Sequence, residues 1–245
     1  MSDGSLTVCL TADVEPDCPP YLWTWRGIEE GMPRLLDLLD AEHVPATLFT
    51  TGDVARRYPA MVRDAVRRGH ELACHGVSHR AFDDMDRATA AREIDESAAT
   101  LRAFAPVVSF RAPYLRFPDA HLPLLENAAF QLDSSLAKYK LSYRRPRAPT
   151  MLLRVPASVT SSVLRLPRVV RRPYLRALAS PLVLFVHPWE LVDFRHSALR
   201  LDCRFRTGEP AVRCLREVIG DLRRRGARFV RMRELLPGGA PSLAA

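Results

Sequence analysis

Short apolar runs alternate with amphipathic stretches along almost the whole chain. Leu6 to Asp13, Ala46 to Thr51, His70 to His75 and Val107 to Arg111 read as strands, followed by the shorter runs Phe130 to Asp133 and Leu152 to Val155. Leu182 to His187 is a strongly apolar strand, and Arg228 to Arg231 is the last one. Between them lie helical patterns. Ile28 to Glu42 carries Leu35, Leu36, Leu38 and Leu39 on its apolar side, and Thr89 to Phe104 carries Ile94, Ala98 and Leu101. Pro59 to Arg68 is a helix ended by Gly69, His121 to Asn127 is another, and Pro210 to Arg225 is stopped by Gly226. Strand–helix alternation predicts parallel strands covered by helices. With seven or eight such units, a closed or nearly closed α/β barrel is the economical architecture.

The length of 245 residues suits one such domain, expected over 1–236, with a frayed tail from Pro237 to Ala245. Hydrophobic residues at 47% and charged residues at 26% give an ordinary globular balance. No apolar run approaches the roughly 18 residues of a membrane span. Met1 to Leu6 lacks the basic-then-apolar pattern of a signal peptide, so the expected location is the cytoplasm, with a membrane-apposed site as the variant. Five cysteines, an odd number with no C-x-x-C, argue against a disulfide framework or a cysteine zinc site and predict reduced, mostly buried thiols. The net charge of +8 suits nucleic acid, an anionic membrane surface or an acidic polymer, but no nucleic-acid-binding motif is present and none of that binding is expected. The stretch Leu164 to Arg176 holds five arginines. It reads either as a contact for an anionic substrate or membrane, or as a solvated face between core strands.

Chemistry in parallel barrels sits at the C-terminal ends of the strands. Four of the predicted strands end in reactive residues: Asp13 with Glu15 beyond it, His75 with His79 in the following loop, Arg111, and His187. Each has a plain alternative. Asp13 could cap the next element or pair with Arg111, His75 and His187 could be satisfied core histidines, and Arg111 could form a surface salt bridge. Their convergence on one rim is harder to attribute to packing. Thr11, Asp13 and Glu15 share one side of an extended strand, so two carboxylates could serve as a base and a metal ligand. Asp17 follows Pro16, which breaks the alternation and leaves its direction open. His75 and His79 stand four apart, and two imidazoles with one carboxylate make the three-ligand, open-position layout of a hydrolytic zinc site.

These residues resemble the polysaccharide deacetylase family with the NodB homology domain (carbohydrate esterase family 4), in its Asp-Val-Glu subgroup. Thr11-Ala-Asp13-Val-Glu15 looks like its first motif, His75-x-x-x-His79 its second and Arg111-Ala-Pro-Tyr114 its third. Phe130-Gln-Leu-Asp133-Ser134-Ser135 resembles the Asp-Ser-Ser strand of that subgroup, and Phe185-Val-His187-Pro-Trp-Glu190 its last motif. The order agrees from about Leu6 to Leu236. Two departures stand out: Val14 replaces the family's second aspartate, and the Asp-Trp pair of its fourth motif has no counterpart, which leaves open the partner that tunes His187.

The resemblance implies a distorted (β/α) barrel of about seven parallel strands and a divalent ion, usually zinc, sometimes cobalt, nickel or manganese. It implies Glu15, His75 and His79 as ligands, Asp13 as base held by Arg111, and His187 as acid. Pro113, Tyr114 and Trp189 fall on the substrate side, with the Tyr114 backbone N–H facing the oxyanion. The implied substrate is an acetylated amino sugar, polysaccharide or lipid-linked sugar, losing an N-acetyl or O-acetyl group. Two other readings stay open: a cyclic-amide hydrolase of the allantoinase kind on the same fold, and a degenerate barrel that binds sugar without cutting it.

Overall fold

The structure is a computed structural model describing residues 6–22, 24–144 and 146–238. Its eight strands are β1 (Thr7–Val14), β2 (Ala46–Thr50), β3 (Glu71–Cys74), β4 (Ser109–Phe110), β5 (Leu132–Asp133), β6 (Leu153–Arg154), β7 (Leu182–Val186) and β8 (Arg228–Phe229). All pair in parallel in the order β6-β5-β4-β3-β2-β1-β7, and β8 joins the start of β1. Among the described residues no ladder joins β6 to β7. Ser158 bridges that gap, donating its N–H to the Val183 carbonyl at 2.9 Å and accepting from Val183 N–H at 3.0 Å. The result is a distorted barrel of seven strands plus a short eighth.

Helices α1 (Met32–Ala41), α2 (Gly52–Arg57), α3 (Pro59–Arg67), α4 (Arg87–Arg102) and α5 (Leu122–Asn127) cover the first half. Helices α6 (Ser161–Leu164), α7 (Arg168–Arg176), α8 (Leu201–Arg204) and α9 (Glu209–Arg223) cover the second. Strand alternation divides β1 between two environments. Val8, Leu10, Ala12 and Val14 pack outward with Leu35, Leu36 and Leu39 of α1 and with Leu215 and Ile219 of α9. Cys9 points inward, onto Phe49, Ala73, Leu132 and Val183 at the barrel floor. The inward series continues upward through Thr11 and Asp13. On α9, Leu215, Val218, Ile219 and Leu222 are buried, each worth about 1.5–3 kcal/mol of transfer free energy against the entropy of ordering.

Four helices were not expected from the pattern: α2, α6, α7 and α8. Helix α2 is only six residues long and starts where the Thr51 side chain accepts the Val54 N–H. Helix α7 runs through the arginine-rich stretch and carries Pro173 inside it. There the reading of a solvated face fails for two arginines. Arg165 and Arg171 are buried, and Arg171 donates to the Leu164 carbonyl and to Glu217. All five cysteines are free and four are buried. Among the described residues no helix is long and apolar enough to cross a membrane. Residues 239–245 of the expected tail lie outside the described residues.

Candidate active site

Asp13 is the last inward-facing residue of β1. Arg111, just beyond β4, is completely buried and reaches across the barrel interior. Its Nη1 donates to Asp13 Oδ1 at 2.6 Å and to Thr11 Oγ1 at 2.8 Å, and its Nη2 donates to Ser134 Oγ at 3.0 Å. The guanidinium also lies 4.1 Å from the centre of the Phe49 ring. A cation so enclosed is held in one geometry, and it fixes the Asp13 carboxylate with it. The neighbouring Ser135 Oγ accepts the Ala112 N–H at 2.8 Å. Both serines of the Asp-Ser-Ser strand therefore hold the Arg111 loop.

Glu15, His75 and His79 are all buried, and their donor atoms lie within 4.8 Å of one another. Glu15 Oε2 is 2.6 Å from His79 Nε2 and 3.2 Å from His75 Nε2. His75 Nδ1 donates to the Arg111 carbonyl at 2.7 Å. That bond places the proton on Nδ1 and leaves the Nε2 lone pair facing Glu15, the tautomer a metal ligand needs. Burial alone would raise the Glu15 pKa, but the neighbouring His79 and His187 hold it well below the usual carboxylate range. An ionised carboxylate and two imidazole nitrogens converging at one point fit a divalent cation. Val14 points the other way, into the apolar layer beneath α1, so it does not compete for the site. Asp17 is spoken for: it accepts from Thr24 Oγ1 at 2.6 Å, Gly27 N–H at 2.7 Å and Arg26 N–H at 2.9 Å, and so anchors the turn that leads into α1.

His187 follows β7. Its Nδ1 donates to Glu190 Oε1 at 2.7 Å, and its Nε2 lies 3.8 Å from Glu15 Oε1. Glu190 in turn pairs with Arg165 at 3.1 Å. Burial disfavours the imidazolium, but the charge of Glu15, then Glu190, outweighs it and pushes the His187 pKa up to about 9. Trp189 stacks on the imidazole at 5.0 Å between ring centres. The backbone of Pro188 and Trp189 is approached closely by a helical turn at Gly27–Gly31. A Cβ on Gly31 would stand 2.0 Å from the Pro188 carbonyl oxygen, so only glycine fits there.

A cavity of about 290 Å³ opens over these groups, and Asp13, Glu15, His79, Tyr114, His187 and Trp189 line it. His75, Arg111 and Pro113 stand behind the wall. Tyr114 and Leu115 both adopt left-handed backbone, at φ 58° and 52°. Lys140 Nζ donates to their carbonyls at 2.6 and 3.2 Å and pins the turn. The sequence motifs did not point to Lys140, Tyr139 or Arg165, which all line the cavity, or to the bond from His187 to Glu190, which Arg165 backs.

A family model described as polysaccharide deacetylase matches residues 3–132. A chitooligosaccharide deacetylase of Sinorhizobium fredii is 34% identical over 128 residues, covering 51% of this chain and 54% of that protein. A peptidoglycan deacetylase of Helicobacter pylori is 34% identical over 120 residues, covering 45% of this chain and 40% of that one. The chain thus spans about half the length of the curated relatives it matches. In three dimensions it resembles a Mycobacterium smegmatis chain described as a polysaccharide deacetylase, with TM-score 0.72, 24% identity, and coverage of 95% of this chain and 89% of that one. It also resembles a CE4 family pseudoenzyme from Bacillus anthracis, with TM-score 0.65, 16% identity, and coverage of 94% and 65%. Asp13, Glu15, His75, His79 and Arg111 lie inside the segment the family model matches, and His187 joins them only through the fold. That match takes in just over half of the 245 residues, and the chain belongs to the polysaccharide deacetylase family.

Proposed function

We propose that this protein hydrolyses the N-acetyl group of an amino sugar with a divalent ion, zinc first, held by Glu15, His75 and His79. The observation that carries the reading is the meeting of Asp13, the three-donor cluster and His187 at one small cavity. The fold by itself does not carry it, since a pseudoenzyme shares that fold. The relatives named for chitooligosaccharide and peptidoglycan supply the substrate class.

A cation at the cluster would supply Lewis acidity toward water and the amide carbonyl. The remaining work falls to the chain. Asp13, oriented by Arg111, takes the proton of the attacking water. The Tyr114 N–H, presented by its left-handed turn, faces the developing oxyanion. His187 carries its proton on the cavity side, because Nδ1 is committed to Glu190, and donates from Nε2 to the departing nitrogen. Acetate and a free amino sugar result. The test is acetate release from a panel of acetylated sugars and from allantoin, by protein stripped with chelator and then reloaded. Turnover of sugars that needs reloading supports the reading. Turnover of allantoin alone moves the reaction to cyclic amides, and sugar binding without release makes the barrel non-catalytic.

A further inference from the structure

Two further clefts share walls with the catalytic cavity, and they differ in kind. One, of about 500 Å³, shares Leu115 and Lys140 and carries Arg116, Asp119, Ser142 and Arg147. The other, of about 670 Å³, shares Ser162 and Asp202, and the rest of its wall is Val163, Leu166, Leu201 and Phe205 with Arg200 at the edge. Arg200 is engaged by Asp202 at 3.1 Å and by the Tyr21 hydroxyl at 2.9 Å. The catalytic cavity, at about 290 Å³, sits at the small end of ligand pockets, which run from about 300 to 1,000 Å³, so it holds about one sugar unit. Whatever is attached to that unit must continue into a neighbouring cleft.

A second sugar in the cleft beside α6 and α8 would exchange water for leucine, valine and phenylalanine and leave its hydroxyls without partners. A hydrocarbon chain loses nothing there. Leu201 is 68% exposed at the mouth, a large apolar side chain with nothing over it. One turn past Leu166, helix α7 leaves Val169, Val170 and Tyr174 exposed beside Arg172 and Arg176, the mixture that lies at a lipid–water interface. We infer that the substrate is a glycolipid: an acetylated sugar in the catalytic cavity, with an alkyl or isoprenoid chain in the groove formed by Val163, Leu166, Leu201 and Phe205. The inference rests on the deacetylase reading for the sugar, while the groove stands on its own geometry.

Calorimetry with methyl, butyl and octyl N-acetyl-β-glucosaminides, each below its micelle concentration and with chelator-stripped protein, tests the groove without turnover. Each methylene that enters it should tighten binding by up to about fourfold, so octyl should bind at least roughly tenfold tighter than butyl. Leu201→Glu should flatten that gain, Leu201→Phe should keep it, and neither should change hydrolysis of the methyl glycoside. A flat series in the unaltered protein overturns the inference, as does a chain-length gain that survives both Leu201→Glu and Val163→Asp. Chain-dependent binding with no acetate release from any glycoside leaves the groove in place and removes the deacetylase reading. Acetate release with equal KM for methyl and octyl does the reverse.

Discussion

Glu190 Oε1 accepts both the Nδ1–H of His187 at 2.7 Å and the backbone N–H of the same residue at 3.2 Å. The short 3-10 turn Pro188–Leu191 folds the carboxylate back onto the histidine three residues earlier. Arg165, from the arginine-rich stretch, keeps that carboxylate ionised. We propose that Glu190, from within the last motif, takes the part of the partner missing from the fourth.

Glu190→Gln should lower the alkaline limit of activity. His187 acts as an acid only while protonated, and its pKa is raised to about 9. The protonated form of His187 is therefore complete well below that value and lost as pH rises through it. Removing the Glu190 charge lowers the pKa, so the alkaline limb of kcat/KM moves to lower pH. A cation bound at Glu15 opposes that carboxylate's contribution, so both limbs in the loaded protein lie below those expected without it. Arg165 is left buried without its counter-ion, and the variant should also lose about 3–5 kcal/mol of stability. An unmoved pH profile in a folded variant would remove Glu190 from the tuning role.

Metal content separates Glu15 from Asp17. Purified without chelator, the protein should carry one divalent ion per chain, and Glu15→Ala, His75→Ala and His79→Ala should each lose it. Asp17→Ala should keep the ion and lose about 1–3 kcal/mol of stability, because three donors at the entry to α1 lose their acceptor. Elemental analysis with thermal melts reads both effects. Loss of metal in Asp17→Ala with retention in Glu15→Ala would reverse the assignment.

Much of this was legible in the sequence, for a physical reason. Parallel strands covered on both faces read as unbroken apolar runs, as in Leu182–Val186, so a polar residue at the end of such a run stands out. Alternation in β1 separated Asp13 and Glu15 from Val14. What could not be read were contacts that depend on how loops return. Arg165 is 25 positions from Glu190 and looked like one more arginine of a basic run. Helix α7 is held by Arg171 inside and Arg168 on Asp221, so charge that suggested a solvated face in part fastens the helix to α9. One signal was available for Lys140. It is one of only two lysines in a chain otherwise cationic through arginine.

Lys140→Met should impair turnover through the Tyr114–Leu115 turn. Left-handed backbone at two non-glycine residues costs roughly 1–3 kcal/mol each, and the ammonium bonds to both carbonyls help to offset it. Without them the turn relaxes and the Tyr114 N–H leaves its position. The kcat should fall roughly 10-fold to 100-fold for ester and amide alike, somewhat less than for outright loss of an oxyanion donor. Metal content should not change. Unchanged kcat would mean that the turn is held by other contacts.

The last prediction separates base from acid. Asp13 sits at 2.6 Å from Arg111 and touches the cavity, and His187 faces it from the other motif. Asp13→Asn keeps the shape and cannot accept a proton. His187→Ala removes the donor to the leaving group, a contribution typically worth about 10²–10⁴ in rate. The leaving group decides how much that matters. An amine must be protonated to depart, whereas an aryl oxide leaves as the anion. His187→Ala should therefore cost far more with an N-acetyl sugar than with an activated aryl acetate. Asp13→Asn should cost about the same with both, because both need an activated water. Each variant must first be shown to keep its ion, by elemental analysis, and its fold, by thermal melting. Equal damage to ester and amide in His187→Ala would mean that the histidine acts on the attacking side. Full activity of Asp13→Asn on both substrates would remove the proton transfer to Asp13, and the buried Arg111 would then serve packing alone.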